Sequence, residues 1–329
     1  MPEPEKETSS TLPIPISIVI CTHNRAGLFS RAVESALAQT LGRERFEILV
    51  IDSCSTDETA GLMREKFFGL PNLRYIQEAR LGVSNARNTG WMKARGKYIA
   101  YLDDDATAEP EWVEQVLKIF ETAETEPGAV GGKVILNWDV PPPPWLTPGN
   151  LHALGELDFS SKPILTSDCG ALIGCNVCYP KEILRGVGGF DLSLGRYGTV
   201  LLSGEEIDMN TRIVGMGKLL YYDPAIVVHH HVYADRLCRW WHLKRAFWQG
   251  VSSAVSEIHQ RKIGPRERVM RAIRQSRYLL MPPVRTLLIA SDKKQKLYVW
   301  ARNYLRRAGD IAASLGIHRY LLPRVDQSS

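Results

Sequence analysis

The chain has 329 residues, 44% hydrophobic and 23% charged, with a formal net charge of +5. That is the composition of an ordinary soluble globular protein, long enough for one large domain or two small ones. No run of 18 or more apolar residues occurs, and the nearest, Tyr278 to Ala290, is short and broken by Pro282, Pro283 and Arg285, which excludes a membrane-spanning helix.

Residues 1–15 are rich in Pro, Glu, Ser and Thr and are expected to be disordered. Ile16 to Cys21 reads as a buried strand, Thr22-His23-Asn24-Arg25 as a polar loop, and Ala26 to Gln39 as a helix with apolar spacing at Leu28, Ala32, Ala36 and Leu37. Phe46 to Asp52 is a second strand. Ser53 to Asp57 follows as a loop, with Ser55 or Thr56 as N-cap for a helix over Glu58 to Phe67. Leu73 to Gln77 is a third strand, Ser84 to Ala94 a helix, Tyr98 to Leu102 a fourth strand and Pro110 to Thr122 a helix. Strand and helix alternating at this spacing predict an α/β fold with an open, mostly parallel sheet. Ligands bind such sheets at the carboxyl ends of the strands. Thr22 to Arg25, Asp52 to Ser55 and Asp103 to Asp105 all fall there.

Asp103-Asp104-Asp105 repel one another unless a cation or a donor-rich ligand sits between them. If the backbone stays extended, Asp103 and Asp105 share one side and Asp104 points away. Two carboxylates on one side suit a hard divalent ion shared with a substrate's phosphates, and the competing reading is a solvated acidic turn.

Beyond Ala129 to Leu136 the run Pro141 to Pro144 is a stiff loop, and from Asp168 onward closely spaced glycines divide the chain into short pieces. Cys175-x-x-Cys178 is the one close pair among six cysteines. Without a second pair or nearby histidines it reads as small-residue packing more readily than as a metal or redox site. With no signal peptide recognisable in the sequence, the thiols are expected to be free and in a reducing, cytoplasmic setting. Gly204-Glu205-Glu206-Ile207-Asp208 opens a helix with acids at the positive end of its dipole. Tyr221 to Val228 is a strand leading into His229-His230-His231. Arg239 to Ile258 and most of 261–315 read as helices.

Residues 1–260 hold 25 Lys+Arg and 32 Asp+Glu, whereas residues 261–329 hold 16 and 4. Such a basic segment points to an anionic partner, here peripheral contact with the inner face of a plasma membrane through residues 261–329. Arg266, Arg268, Arg271, Arg274 and Arg277 are the residues placed on the leaflet, against a solvated helical face or an oligomer contact. No nucleic-acid reading motif is present, so nucleic acid is not an expected partner.

In their order and spacing, Ser17 to Arg25, Val50 to Asp57, Gly82 to Gly90, Tyr101 to Asp105, Gly188-Gly189-Phe190-Asp191 and Ser203 to Glu206 resemble the motifs of family 2 glycosyltransferases with the GT-A fold. Arg245 to Ser252 is similar to the bacterial branch that builds exopolysaccharides and other surface glycans. The resemblance implies a GT-A catalytic domain over 16–235, with a nucleotide-binding half at 16–130 and an acceptor half at 131–235, and a basic helical region at 236–329. It also implies a nucleotide-sugar donor, held by Thr22, Asn24, Arg25, Asp52, Ser53, Arg87, Asn88, Asp103 and Asp104. Ser53 and Cys54 stand where the family more often has a second Asp and a Gly. A uridine nucleotide is the expected base. Asp103 and Asp105 match the family's Asp-x-Asp, which implies Mg²⁺ or Mn²⁺ against the donor diphosphate. Asp103 is assigned either to that ion or to the ribose or donor sugar. The late histidine of the family's metal site aligns best with His230. Glu206 is the expected base and Glu205 its acceptor-binding neighbour, with the roles interchangeable because the family usually carries Glu-Asp. The acceptor is a saccharide or a lipid-linked saccharide. Two rivals are a sugar-nucleotide pyrophosphorylase, which needs a glycine-rich basic loop where Thr22 to Arg25 stands, and a catalytically silent glycan or nucleotide binder, which has no use for both acidic pairs.

Overall fold

The computed structural model describes residues 14–279 and 293–322, so the expectations for residues 1–13 and 280–290 lie outside the described residues. The chain opens with β1 (Ile16–Thr22), α1 (Phe29–Leu37), β2 (Phe46–Ser53), α2 (Thr59–Phe67), β3 (Leu73–Glu78), α3 (Val83–Lys93) and β4 (Tyr98–Asp103). The four strands are parallel in the order β3-β2-β1-β4. β1, β2 and β4 are continuous apolar runs because both their faces are covered; Ile18, Val19 and Ile20 are all fully buried. Register does the rest. Thr22 pairs with Asp52 and Cys21 with Asp103, so three polar strand ends lie side by side at one edge.

After β4 come β5 (Ala106–Ala108), α4 (Trp112–Thr122), β6 (Ala129–Trp138), α5 (Pro148–Leu151), β7 (Ile164–Thr166), β8 (Val177–Pro180), α6 (Lys181–Gly186), α7 (Glu205–Gly215) and β9 (Leu220–Val232). The sheet continues β4-β8-β6-β9-β5, and β7 also pairs with β9. β8 runs antiparallel to β4, and β5 and β7 antiparallel to β9, so this half of the sheet is mixed, whereas the first half is parallel as the alternation of strand and helix implies. β5, β7 and β8 have three or four residues each, too few to show an alternation in the sequence. Cys175 and Cys178 are buried free thiols whose pKa values burial raises well above the usual range, in keeping with packing.

Three helices follow: α8 (Arg239–Gln260), α9 (Pro265–Leu279) and α10 (Lys293–Ser314). α8 and α10 pack at their glycines. A Cβ on Gly250 would stand 1.8 Å from the Arg306 carbonyl, and one on Gly309 2.0 Å from that of Phe247. Arg271 does not face a leaflet as the sequence reading placed it. It is buried, with Nη2 2.6 Å from Asp310 and Nη1 on Glu257, because an unpaired guanidinium inside a helix packing layer costs more than its pairing. Arg266, Arg274 and Arg277 of α9 are exposed. Among the described residues no helix is long and apolar enough to cross a membrane.

Candidate active site

The carboxyl ends of β1, β2 and β4 open onto a cavity of about 680 Å³. Its walls are completed by the N-terminus of α7, by residues 149–155, and by the facing sides of α8 and α10. β4 ends at Asp103, and Asp104 and Asp105 form the turn that hands the chain to β5. The strict in-and-out alternation of an extended strand therefore stops one residue early, and Asp104 faces the cavity too. Thr22 Oγ1 donates to Asp104 Oδ2 at 2.8 Å, and the Arg25 guanidinium lies 3.7 Å from the same carboxylate. Burial pushes the Asp104 pKa up to about 6 against the pull of Arg25.

The same turn delivers Asp105 to the histidine strand. Ala106 pairs with His230, and the His231 N–H donates to the Asp105 carbonyl at 2.8 Å. Ligand atoms of Asp103, Asp105 and His230 all lie within 4.8 Å of one another. His230 Nε2 is 3.2 Å from Asp105, and its Nδ1 is buried without a partner. Asp105 also accepts from Arg25 Nη1 at 3.0 Å and Arg236 Nη2 at 2.7 Å. Burial opposes its ionisation, yet His230, Arg236 and Arg25 together hold its pKa well below the usual carboxylate value. Two carboxylates and an imidazole at this spacing fit a divalent ion such as Mn²⁺ or Mg²⁺. His229 and His231 point to the other face of β9, where they pair with Glu109 at 2.7 Å and Asp139 at 3.1 Å.

Arg87, on α3 and buried, bridges the two acidic groups. Its Nη1 donates to Glu205 Oε1 and its Nη2 to Asp103 Oδ1, each at 3.0 Å. The rings of Tyr101 and Phe190 flank the guanidinium at 5.6 and 5.5 Å. Gly204 takes φ +86° to turn the chain into α7, a conformation that suits glycine, and this turn aims Glu205 and Glu206 into the cavity. Glu205 is buried, and its second oxygen has no partner. Burial, then the neighbouring Glu206, raise its pKa to about 7 in spite of Arg87. Glu206 is half-buried and lines the cavity.

Thr22, Arg25, Ser53, Arg87, Asp103 and Asp104 all line the cavity, as do Asp105 and His230. Asn24, Asp52 and Asn88 stand behind its wall and hold its loops. Asn24, at φ +51°, accepts from the Thr56 N–H at 2.7 Å and so ties the β1 loop to the β2 loop. Asp52 accepts from the Ser55 N–H at 2.9 Å and from the Tyr75 hydroxyl, which closes the turn after β2. Cys54 sits at φ +58° in that turn, in the left-handed region where glycine is at ease. Asn88 is consumed by the Phe190 backbone, at 2.9 Å for its amide donor and 2.8 Å for its acceptor.

Arg196, Arg236, Arg245, Arg302 and Arg306, none of which the sequence assigns to the site, all line the cavity. Arg302 and Arg306 belong to the basic segment assigned to a membrane. Helical spacing alone gives a basic face, and only the packing of α10 on α8 shows that part of this face is turned inward.

Residues 17–172 match the family described as "Glycosyl transferase family 2". The glucosyl-dolichyl phosphate glucuronosyltransferase of Haloferax volcanii is 29% identical over 247 residues, covering 74% of this chain and 77% of that protein. The succinoglycan biosynthesis protein ExoM of Rhizobium meliloti is 27% identical over 244 residues, 71% of this chain and 72% of that one. A mannosyltransferase from Pyrobaculum calidifontis, solved with GDP-Man and Mn²⁺, superposes with a TM-score of 0.55 at 18% identity, over 94% of this chain and 76% of that one. S. aureus TarS, solved with UDP, superposes with a TM-score of 0.53 at 15% identity, over 95% and 94%. Sequence and fold agree: this chain is a glycosyltransferase with the GT-A fold, and residues 17–172 are where it is similar to family 2.

Proposed function

We propose that this enzyme transfers a sugar, with inversion at the anomeric carbon, from a nucleoside diphosphate sugar to a hydroxyl of a saccharide or lipid-linked saccharide in surface-glycan synthesis. The observation that carries this reading is the single cavity shared by the Asp103, Asp105, His230 group and the Glu205-Glu206 pair. Asp103, Asp105 and His230 are the residues that would hold Mg²⁺ or Mn²⁺. When bound, the ion supplies charge neutralisation to the departing nucleoside diphosphate. Thr22, Ser53 and the backbone around them receive the nucleotide. Arg87 fixes the distance between the donor-side Asp103 and the acceptor-side Glu205. Glu206 accepts the acceptor's hydroxyl proton as that oxygen bonds to the anomeric carbon and the glycosidic bond to phosphate breaks. A carboxylate can accept the proton as the oxygen attacks, and Glu206 carries no ion pair among the described residues, whereas Glu205 is held by Arg87. Placement at the inner face of a membrane belongs to the same reading, with Arg266, Arg274 and Arg277 exposed on α9 beside Val269, Met270 and Ile273.

Two measurements test the donor reading. Isothermal titration of UDP and GDP, with and without Mn²⁺, is expected to show metal-dependent binding of one, uridine by preference. NMR of the product anomer is expected to show inversion. Retention of configuration, or nucleotide binding indifferent to both metal and Asp105→Asn, would sink the reading. For the membrane, charge reversal of Arg266, Arg274 and Arg277 is the suitable perturbation, since truncation after residue 264 would remove a cavity wall. Flotation on anionic vesicles unchanged by that reversal would refute the contact.

A further inference from the structure

Seven arginines and five carboxylates line the cavity, a formal excess of two positive charges. Arg25, Arg87 and Arg236 are paired with Asp104, Asp105, Asp103 or Glu205. Arg196, Arg245, Arg302 and Arg306 have no carboxylate partner among the described residues. On the donor reading above, a divalent ion and the diphosphate of a sugar nucleotide cancel in charge, and the excess of two remains for something else.

Those four arginines divide by position. Arg196 belongs with the donor. Its carbonyl accepts from the Val83 N–H at 2.9 Å, and Arg236, Arg245, Asp105 and Arg25 are its charged neighbours. The other three come from the C-terminal helices, Arg245 from α8 and Arg302 and Arg306 from α10, and Arg245 and Arg302 are both charged neighbours of His242. Arg245 Nη1 donates to Ser203 Oγ at 2.8 Å and to the Leu201 carbonyl at 3.1 Å, which anchors it three positions before Glu206, and its Nε is buried without a partner. Arg302 donates to Asn150 Oδ1, which joins α10 to α5 at the cavity wall. Arg306 is one turn further along α10 and exposed, held in place by the close crossing at Gly250. Burial lowers the pKa of Arg245, the direction expected of a guanidinium lacking a full counter-charge. Planar guanidinium groups with several donors each are the side chains that hold phosphoryl oxygens bidentately.

We propose that Arg245, Arg302 and Arg306 form an anion-binding subsite on the acceptor side of the cavity, and that the acceptor carries a phosphoryl group there. The sugar hydroxyl that is glycosylated then lies between this group and the donor, beside Glu206. The inference rests on the donor reading of the same cavity. It assigns substrate-binding work to the C-terminal helices, outside the stretch that matches the family.

The test uses the full-length protein, titrated with glucose 1-phosphate, farnesyl phosphate, methyl glucoside and glucuronate, each with and without UDP or GDP and Mn²⁺. Glucose 1-phosphate or farnesyl phosphate is expected to bind together with nucleotide and metal, the tighter of the two indicating whether the phosphate is lipid-borne. Arg302→Gln and Arg306→Gln are expected each to weaken that binding at least fivefold, while nucleotide affinity moves less than twofold and the melting temperature holds. Phosphoryl binding unchanged in both variants, competition between phosphoryl probe and nucleotide for one place, or tighter binding of methyl glucoside or glucuronate would each overturn the proposal. Nucleotide that fails to bind with Mn²⁺ removes the donor reading instead, and the nucleotide-free titration still decides the subsite.

Discussion

Replacing Arg87 with Met tests the bridge between the two acidic groups. The residue is 3% exposed and its two carboxylate partners are each 3.0 Å away. Removing one partner of a buried ion pair costs about 3–5 kcal/mol, chiefly because the other charge is left buried and uncompensated. Glu205, 6% exposed, carries most of that penalty; the Asp103 side chain is 37% exposed and its share is screened. The penalty depends on pH in a defined sense. With Arg87 present the Glu205 pKa is already raised from 4.5 to about 7, and without it the value moves higher still. A carboxyl raised on folding contributes stability below its unfolded pKa and loses it as pH rises through the folded one. At pH 8 Arg87→Met must therefore bear an ionised Glu205 with no partner, or hold it protonated at a cost. At pH 5 Glu205 is protonated in both proteins. The deficit is expected to reach about 3–5 kcal/mol at pH 8, roughly 6–10 °C in melting temperature, and to shrink by more than about 1 kcal/mol at pH 5. Thermal denaturation of both proteins at the two pH values reads this directly. An equal deficit at both, or one below about 1 kcal/mol at pH 8, would refute the bridging account.

Asp105→Asn keeps the shape of the turn but removes the charge shared by Arg25, Arg236 and His230. Nucleoside diphosphate release is expected to fall at least about 100-fold and to resist rescue by Mn²⁺, with a loss of stability of about 2–3 kcal/mol from the unpaired arginines. Glu206→Gln is expected to lower kcat about 10²- to 10⁴-fold with little change in donor KM, measured by steady-state kinetics. Glu205→Gln is expected to flatten the fall in melting temperature between pH 5 and pH 8, since a shift from 4.5 to about 7 corresponds to about 3 kcal/mol at 1.36 kcal/mol per unit. Gly250→Ala drives a methyl group toward the Arg306 carbonyl, 1.8 Å from the ideal Cβ position. Separation of α8 from α10 is expected to cost about 1–3 kcal/mol in thermal unfolding.

Much of the nucleotide-binding half is legible in the sequence because its elements are long and locally encoded. Continuous apolar runs at Ile16 to Cys21, Phe46 to Asp52 and Tyr98 to Leu102 match strands buried on both faces, and each observed strand runs one residue further. The second half is less so. β5, β7 and β8 owe their place to antiparallel pairing with distant strands, and short segments of this kind carry no period of their own. Side chains within the site divide in the same way. Asp103, Asp105, Glu205 and Glu206 stand out because acids at a strand end and at a helix start are chemically conspicuous. Asn88 and Asp52 look alike in sequence to groups on the cavity wall, yet the Phe190 backbone takes one and the Ser55 turn the other.

The sequence by itself determined the alternation of strands and helices between Ile16 and Lys93, the carboxylate turn after the fourth strand and the basic character of the C-terminal helices, since each is a matter of local pattern and charge. Tertiary structure decided which of those charges meet. Asp105 reaches His230 through the pairing of β5 with β9, Arg87 joins Asp103 to a glutamate 118 positions away from it, and the glycine contact between α8 and α10 turns Arg302 and Arg306 toward the substrate cavity. Contacts between residues so far apart depend on register and on close packing, which no window of sequence contains.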